Sequence, residues 1–132
     1  MPGAYRDMSA GADITRPARR FHRLERKRLH GFEVPVAADP LSRLLGLALL
    51  DRHRSPEGLL IPRCRSVHTF GMRFPLDLLF LGEECQPLIA VREVGPGHRV
   101  RVPQAAAVLE LPSDWDIDSW EAEVPESSQA EL

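Results

Sequence analysis

Between Cys64 and Leu81 the chain reads CRSVHTFGMRFPLDLLFL, which sets a thiol, an imidazole, a guanidinium and a carboxylate among apolar residues. Asp77 is the sharpest of these groups, because an uninterrupted Leu78-Leu79-Phe80-Leu81 run follows it directly. Such a run reads as a strand buried on both faces, and a carboxylate beside it must find a partner or lose its charge. Alternation puts Asp77 on the face of Leu79 and Leu81, opposite Leu76, Leu78 and Phe80. One reading makes Asp77 a general base or ligand contact. The other makes it a clamp, satisfied by backbone N–H groups or by Arg73 and stapling a loop to the sheet. Buried paired carboxylates serve as clamps more often than as catalysts, so the clamp is favoured.

Glu110, inside Val108-Leu109-Glu110-Leu111-Pro112, poses the same question. It lies on the face opposite Leu109 and Leu111, and if that face looks inward then Arg73 or Arg101 is the expected counter-ion. His68 brings two further chemistries. With Cys64, Cys85 and His98 it could complete a set of soft zinc ligands. Residues four apart in a strand are about 13 Å apart, however, and no Cys-x2-Cys pair anchors such a site. With Cys64 or Ser66 as nucleophile and Asp77 as orienter, His68 could instead act as a base. Ser66 and His68 would be about 7 Å apart along a strand, and no Gly-x-Ser-x-Gly elbow is present. A pocket histidine is the plainer reading. No metal and no cofactor is implied.

The elements that must position these groups are short. The chain has 132 residues, 43% hydrophobic and 27% charged, enough for one domain with its own core. Twelve prolines argue against long helices and for brief elements joined by stiff turns. RLHGFEVPV looks like a first strand with a kink at Gly31. One helix is expected next: Asp39 caps it, Pro40 fits its first position, and Leu41, Leu44, Leu45, Ala48 and Leu49 form one apolar face over about three turns. Strands then follow at Gly58–Ile61, Ser66–Phe74, Leu76–Leu81, Pro87–Val94, His98–Val102 and Ala106–Leu111, with Gly82-Glu83-Glu84 turning a hairpin between the third and fourth of these. The expected fold is all-β: a small sandwich or partly open barrel of about six to eight strands, with one helix covering an end.

Charge divides the chain into three parts. Residues 1–31 hold eight Arg or Lys against three acids, and residues 113–132 hold seven acids and no base. The stretch between has nine of each. We therefore expect a basic arm over residues 1–27, a β-domain over 28–112 and an acidic tail over 113–132 carrying Trp115 and Trp120. Arg19-Arg20 and Arg26-Lys27-Arg28 could touch nucleic acid, but a solvated arm is the simpler account. No apolar run approaches the roughly 20 residues of a membrane span. Two cysteines make no disulfide framework, which points to the cytoplasm.

CRSVHTFGMRFPLDLLFLG, preceded by ADPLSRLLGLALL and followed by AAAVLELP, closely resembles the bacterial and archaeal family called domain of unknown function 192. The resemblance covers roughly residues 29 to 112 and implies a small all-β fold. It brings no reaction, substrate or cofactor. A second form of the family's motif has Trp where His68 stands and Asn where Gly71 stands, which would confine a role for His68 to a subgroup. The reading that follows is a ligand-binding or accessory module with a polar pocket lined by His68, Thr69, Met72, Arg73, Asp77 and Glu110. Its partner would be a small molecule or a protein. A hydrolase or metal-dependent enzyme using His68 and Asp77 is the alternative, and an interaction protein acting through its charged termini is a third.

Overall fold

A computed structural model describes residues 17–29 and 31–113. The first 16 residues of the arm and the acidic tail from residue 114, Trp115 and Trp120 included, lie outside the described residues.

A four-stranded antiparallel sheet forms the middle of the fold, in the order β3-β8-β5-β6. Its strands are β3 (Leu59–Pro62), β5 (Leu76–Leu81), β6 (Pro87–Val94) and β8 (Ala107–Pro112). All six residues of β5 are buried, as the Leu-Leu-Phe-Leu run requires. Leu76, Leu78 and Phe80 enter the larger core cluster with Leu47, Val67, Met72, Val100 and Val108. Leu79 and Leu81 enter a second cluster with Leu29, Val34, Leu60, Leu109 and Leu111. The sheet is thus buried on both faces at its central strands, β5 and β8, while the edge strand β6 is half-buried to exposed over most of its length.

Two small sheets complete the architecture. Strands β1 (Arg26–Leu29) and β2 (Phe32–Pro35) pair as a hairpin, tied to β3 by a bridge between Val36 and Leu60. The kink expected at Gly31 is therefore a reversal: at φ +94° Gly31 adopts a backbone that L side chains avoid, and one expected strand becomes two. Strands β4 (Ser66–His68) and β7 (Arg99–Arg101) pair separately, with Val67 and Val100 turned into the core. Among the described residues, eight strands in three sheets make a mostly β, sandwich-like fold with no closed barrel.

The helix departs from expectation. It spans only Pro40–Leu45 (α1), with the Asp39 carboxylate accepting from the Ser42 N–H at 2.9 Å as its cap. That bond also holds the Asp39 carboxyl below its usual pKa. Leu41 and Leu44 are each 64% exposed, so the expected apolar face looks outward. Gly46, at φ +52° and ψ −127°, ends the helix and swings the chain inward. Leu47 and Ala48 consequently enter the core from a turn, not from a helical face.

The chain before β1 also docks. A 3-10 turn at Arg19–Phe21 buries Phe21 and Ala18, and the Ala18 N–H donates to the Arg54 carbonyl at 2.8 Å. This brings Arg20, read from charge as part of the arm, against the domain.

Candidate functional site

Glu110 sits in mid-sheet, paired with Leu59 on one side and Leu78 on the other. Alternation from Val108 sends its side chain into the larger core, away from Leu109 and Leu111. The residue is 4% exposed. Its carboxyl lies directly under the turn after α1, where a β-carbon built on Gly46 would stand 2.8 Å from Oε1. Glycine is the residue that the close approach and the positive φ both allow.

Two groups face this carboxyl. The Leu47 backbone N–H is hydrogen-bonded to it, and the Arg20 guanidinium acts on it through space. Neither offsets its burial, which pushes the Glu110 pKa up to about 7. Oε1 has no hydrogen-bond partner. Arg20 meanwhile straps the same turn, its Nη2 donating to the Gly46 carbonyl at 2.9 Å and the Ala48 carbonyl at 2.6 Å. Its guanidinium stands 5.0 Å from the Phe21 ring centre, and burial lowers its pKa against the pull of Glu110. The expected counter-ions for Glu110 were Arg73 or Arg101. The structure supplies Arg20.

Glu110 lines a cavity of about 40 Å³ with Arg43, Gly46, Cys64, His68 and Met72. A water molecule occupies about 30 Å³ of liquid, so one small polar group fits. His68 is exposed at its wall, with its ring 5.7 Å from the Phe70 ring at a 30° tilt. Met72 is buried and apolar. The Cys64 thiol donates to the Ser66 carbonyl at 3.2 Å, and burial raises its pKa. A thiol so held is not an activated nucleophile.

The other expected site residues lie elsewhere. Thr69 is buried, and its Oγ1 donates to the Gly95 carbonyl at 2.7 Å while accepting from the His98 N–H at 2.9 Å. It staples the turn before β7. Arg73 is exposed and pairs with Asp51 at 3.2 Å, not with Asp77. Asp77 is fully buried, yet it points to the opposite face of the sheet from Glu110. Its Oδ1 accepts from the Glu93 N–H at 2.7 Å and the Ser113 hydroxyl at 3.0 Å, and Arg92 Nε lies 3.6 Å from Oδ2. His68, Met72 and Glu110 are thus brought together, with Thr69 beside them; Arg73 and Asp77 are not.

Among the described residues no three His, Cys, Asp or Glu side chains converge as metal ligands. Arg20, Gly46 and Leu47 are the participants that spacing did not single out. Gly46 alone left a mark, as an isolated glycine inside an apolar helical pattern.

Fold and site together define a small all-β domain with a buried carboxyl beneath a strapped turn. The family model for domain of unknown function 192, described as Uncharacterized ACR, COG1430, matches residues 22–120, and the chain belongs to that family. Among curated proteins none matches significantly. Two solved structures are similar in fold. A proposed transcription regulator from Sinorhizobium meliloti 1021 superposes with a TM-score of 0.57 at 23% identity, covering 79% of this chain and 84% of that one. A protein of unknown function from Novosphingobium aromaticivorans DSM 12444 gives 0.54 at 15% identity, with 81% of each chain covered. At these identities the likeness concerns the fold.

Proposed function

We propose that this domain is a ligand-binding module whose recognition point is the Glu110 carboxyl. The ligand would present a small hydrogen-bond donor, such as a hydroxyl or primary amide, to Oε1. The observation that carries this reading is a buried carboxylate oxygen with no partner, at the wall of a cavity able to hold one polar group. Unsatisfied buried polar atoms are rare and costly, and a binding site is one reason to keep one. A donor entering the cavity would supply the missing bond.

The surroundings support a ligand with an apolar body. Leu44 and Met72 line the cavity with His68, and Phe70 is stacked beside His68. Leu49, also exposed, approaches the same corner: its N–H donates to the Gly71 carbonyl at 2.9 Å. In this reading His68 makes one hydrogen bond at the mouth, and Thr69 fixes the turn that carries it. Arg73 and Asp77, once expected in the pocket, act on the surrounding scaffold.

A hydrolytic pairing of His68 with Asp77 has less support, since Asp77 leaves the sheet on the side away from the cavity that His68 lines. No helix among the described residues is long and apolar enough to cross a membrane. Two unpaired cysteines suit a reducing cytoplasm.

The test is a thermal-shift panel of short alcohols, primary amides and alkylammonium ions, with native mass spectrometry of freshly purified protein beside it. At least one neutral donor should raise the Tm of the wild type and leave Glu110→Leu unmoved. A panel without any Glu110-dependent shift, together with protein that carries no small ligand, would end this reading.

A further inference from the structure

The domain between residues 32 and 112 has nine acids and nine bases, but they are not mixed. Segments 58–76 and 94–109 contain no Asp or Glu, and hold Arg63, Arg65, Arg73, Arg99 and Arg101 with His68 and His98. Folding joins these two acid-free segments, because β4 comes from the first and β7 from the second. The outcome is a short ribbon with a cationic outer face. Ser66 lies opposite Arg101 and His68 opposite Arg99, while Val67 and Val100 take the inner face.

We infer that this ribbon is a binding surface for single-stranded nucleic acid. Arg99 and Arg101 are both exposed and project from the same face, two residues or about 7 Å apart along the strand. Arg99 Nε donates to Ser66 Oγ at 3.1 Å, which orients the guanidinium and uses one of its five donors. The remaining donors form a fork suited to phosphate oxygens. Arg63 and Arg65 continue the cationic face into a groove of about 690 Å³ that also includes Arg43, with Glu83 as the acid among its lining residues.

The second component is aromatic. Phe70 is 59% exposed, an unusual position for a phenyl ring, and it stacks on His68 directly beside Arg99. A stacked ring pair next to an arginine is how proteins hold an unpaired base beside its phosphate. A lipid headgroup would use the charges but has no use for a stacking platform. The surface shares Arg43, Ser66 and His68 with the lining of the Glu110 cavity, but Arg99, Arg101 and Phe70 lie outside that lining, so it stands whether or not that cavity binds a ligand.

The test uses the full chain and a fluorescein-labelled mixed-sequence 15-mer, as RNA and as single-stranded DNA, followed by anisotropy. Binding should weaken about 20- to 50-fold between roughly 50 and 200 mM salt, as three to four phosphate contacts require. Arg99→Gln/Arg101→Gln should cost about tenfold or more and flatten that salt dependence, and Arg99→Lys/Arg101→Lys should restore most of the affinity. Phe70→Ala should cost about 5- to 100-fold and Phe70→Trp little, with circular dichroism and Tm confirming an intact fold. No binding of either strand at about 100 µM protein would overturn the inference. So would loss of binding in Arg6→Gln/Arg16→Gln with the ribbon variants unaffected, which would move the site to the amino-terminal arm. Capture by phosphatidylserine vesicles without oligonucleotide binding would assign the ribbon to a membrane surface instead.

Discussion

Asp77 and Glu110 stand on neighbouring strands of one sheet, β5 and β8, and their carboxyls leave it in opposite directions. Asp77 pairs with Leu111, and Leu78 with Glu110, so the two acids are one register step apart. A single step is enough to separate a clamp from a cavity, because the side-chain period of a strand is two residues. Asp77 Oδ1 accepts two hydrogen bonds while Oδ2, without one, faces Arg92 at 3.6 Å; Glu110 has the Leu47 N–H and the more distant Arg20, and burial outweighs both.

That contrast predicts what removing Asp77 does. Asp77→Ala strips the Glu93 N–H and the Ser113 hydroxyl of their acceptor, loosening the junction of β6 with the end of β8. The loss should be about 1–3 kcal/mol in urea denaturation, the cost of leaving such groups unanswered. Any ligand shift that depends on Glu110 should survive, since the cavity lies across the sheet. Loss of that shift in a variant that still folds would link the two faces.

Glu110 gives the protein a pH dependence of definite sign. Its carboxyl holds a proton up to about pH 7 in the folded chain, against an ordinary value of 4.5. Between these values the folded state binds more protons than the unfolded one, so stability falls as pH rises from about 4.5 to 7 and levels off above. The full effect is on the order of 3 kcal/mol. Glu110→Gln should remove this slope and be the more stable protein at pH 8. Denaturation of both proteins at pH 5 and pH 8 decides it: equal slopes would mean that Glu110 is not the titrating group.

Much of this arrangement was legible from residue order, and the rest was not for identifiable reasons. The Leu78–Leu81 run announced a strand buried twice over, and the alternation around Asp77 and Glu110 gave each its face. Both are local properties of a period-two pattern. Arg20 was not legible as the group facing Glu110, because nothing local distinguishes it from Arg19 or Arg23. Its place depends on Phe21 docking many residues away. The partner of Arg73 was equally hidden: Asp51 and Asp77 are both acids within plausible reach, and only the packed structure separates them.

Arg20 should therefore matter more than its neighbours. Arg20→Met keeps an apolar stem while removing the donors to the Gly46 and Ala48 carbonyls, and should cost about 1–2 kcal/mol after allowing for its partial exposure. Without the guanidinium the Glu110 carboxyl loses a stabilising cation, so its titration should move above 7. Carbon-13 NMR of the Glu110 carboxyl would show the direction. A downward shift would contradict the geometry.

The turn itself can be probed at Gly46. Gly46→Ala places a β-carbon 2.8 Å from Glu110 Oε1 on a backbone at φ +52°, and should destabilise by about 1–3 kcal/mol. Part of that cost is the clash and part is the backbone. In a Glu110→Ala background the clash disappears and the backbone strain stays, so the penalty should shrink without vanishing. A double-mutant cycle with strictly additive changes would show that Gly46 and Glu110 do not touch.

The short helix offers the most direct check of the fold around the site. Helical periodicity groups Leu44 with Leu41 and Leu45 on an inward face, which would make Leu44 part of the core. The structure instead exposes Leu44 by 64% and buries Leu47 completely, because the chain turns at Gly46. Leu47→Ala should then cost about 2–5 kcal/mol, the loss expected for a fully enclosed leucine. Leu44→Ala should stay within about 0.5 kcal/mol of wild type, as exposed substitutions do. Paired urea melts measure both. If Leu44 proved the costlier truncation, the helix would have to run on past Gly46, and the turn that covers Glu110 would not exist.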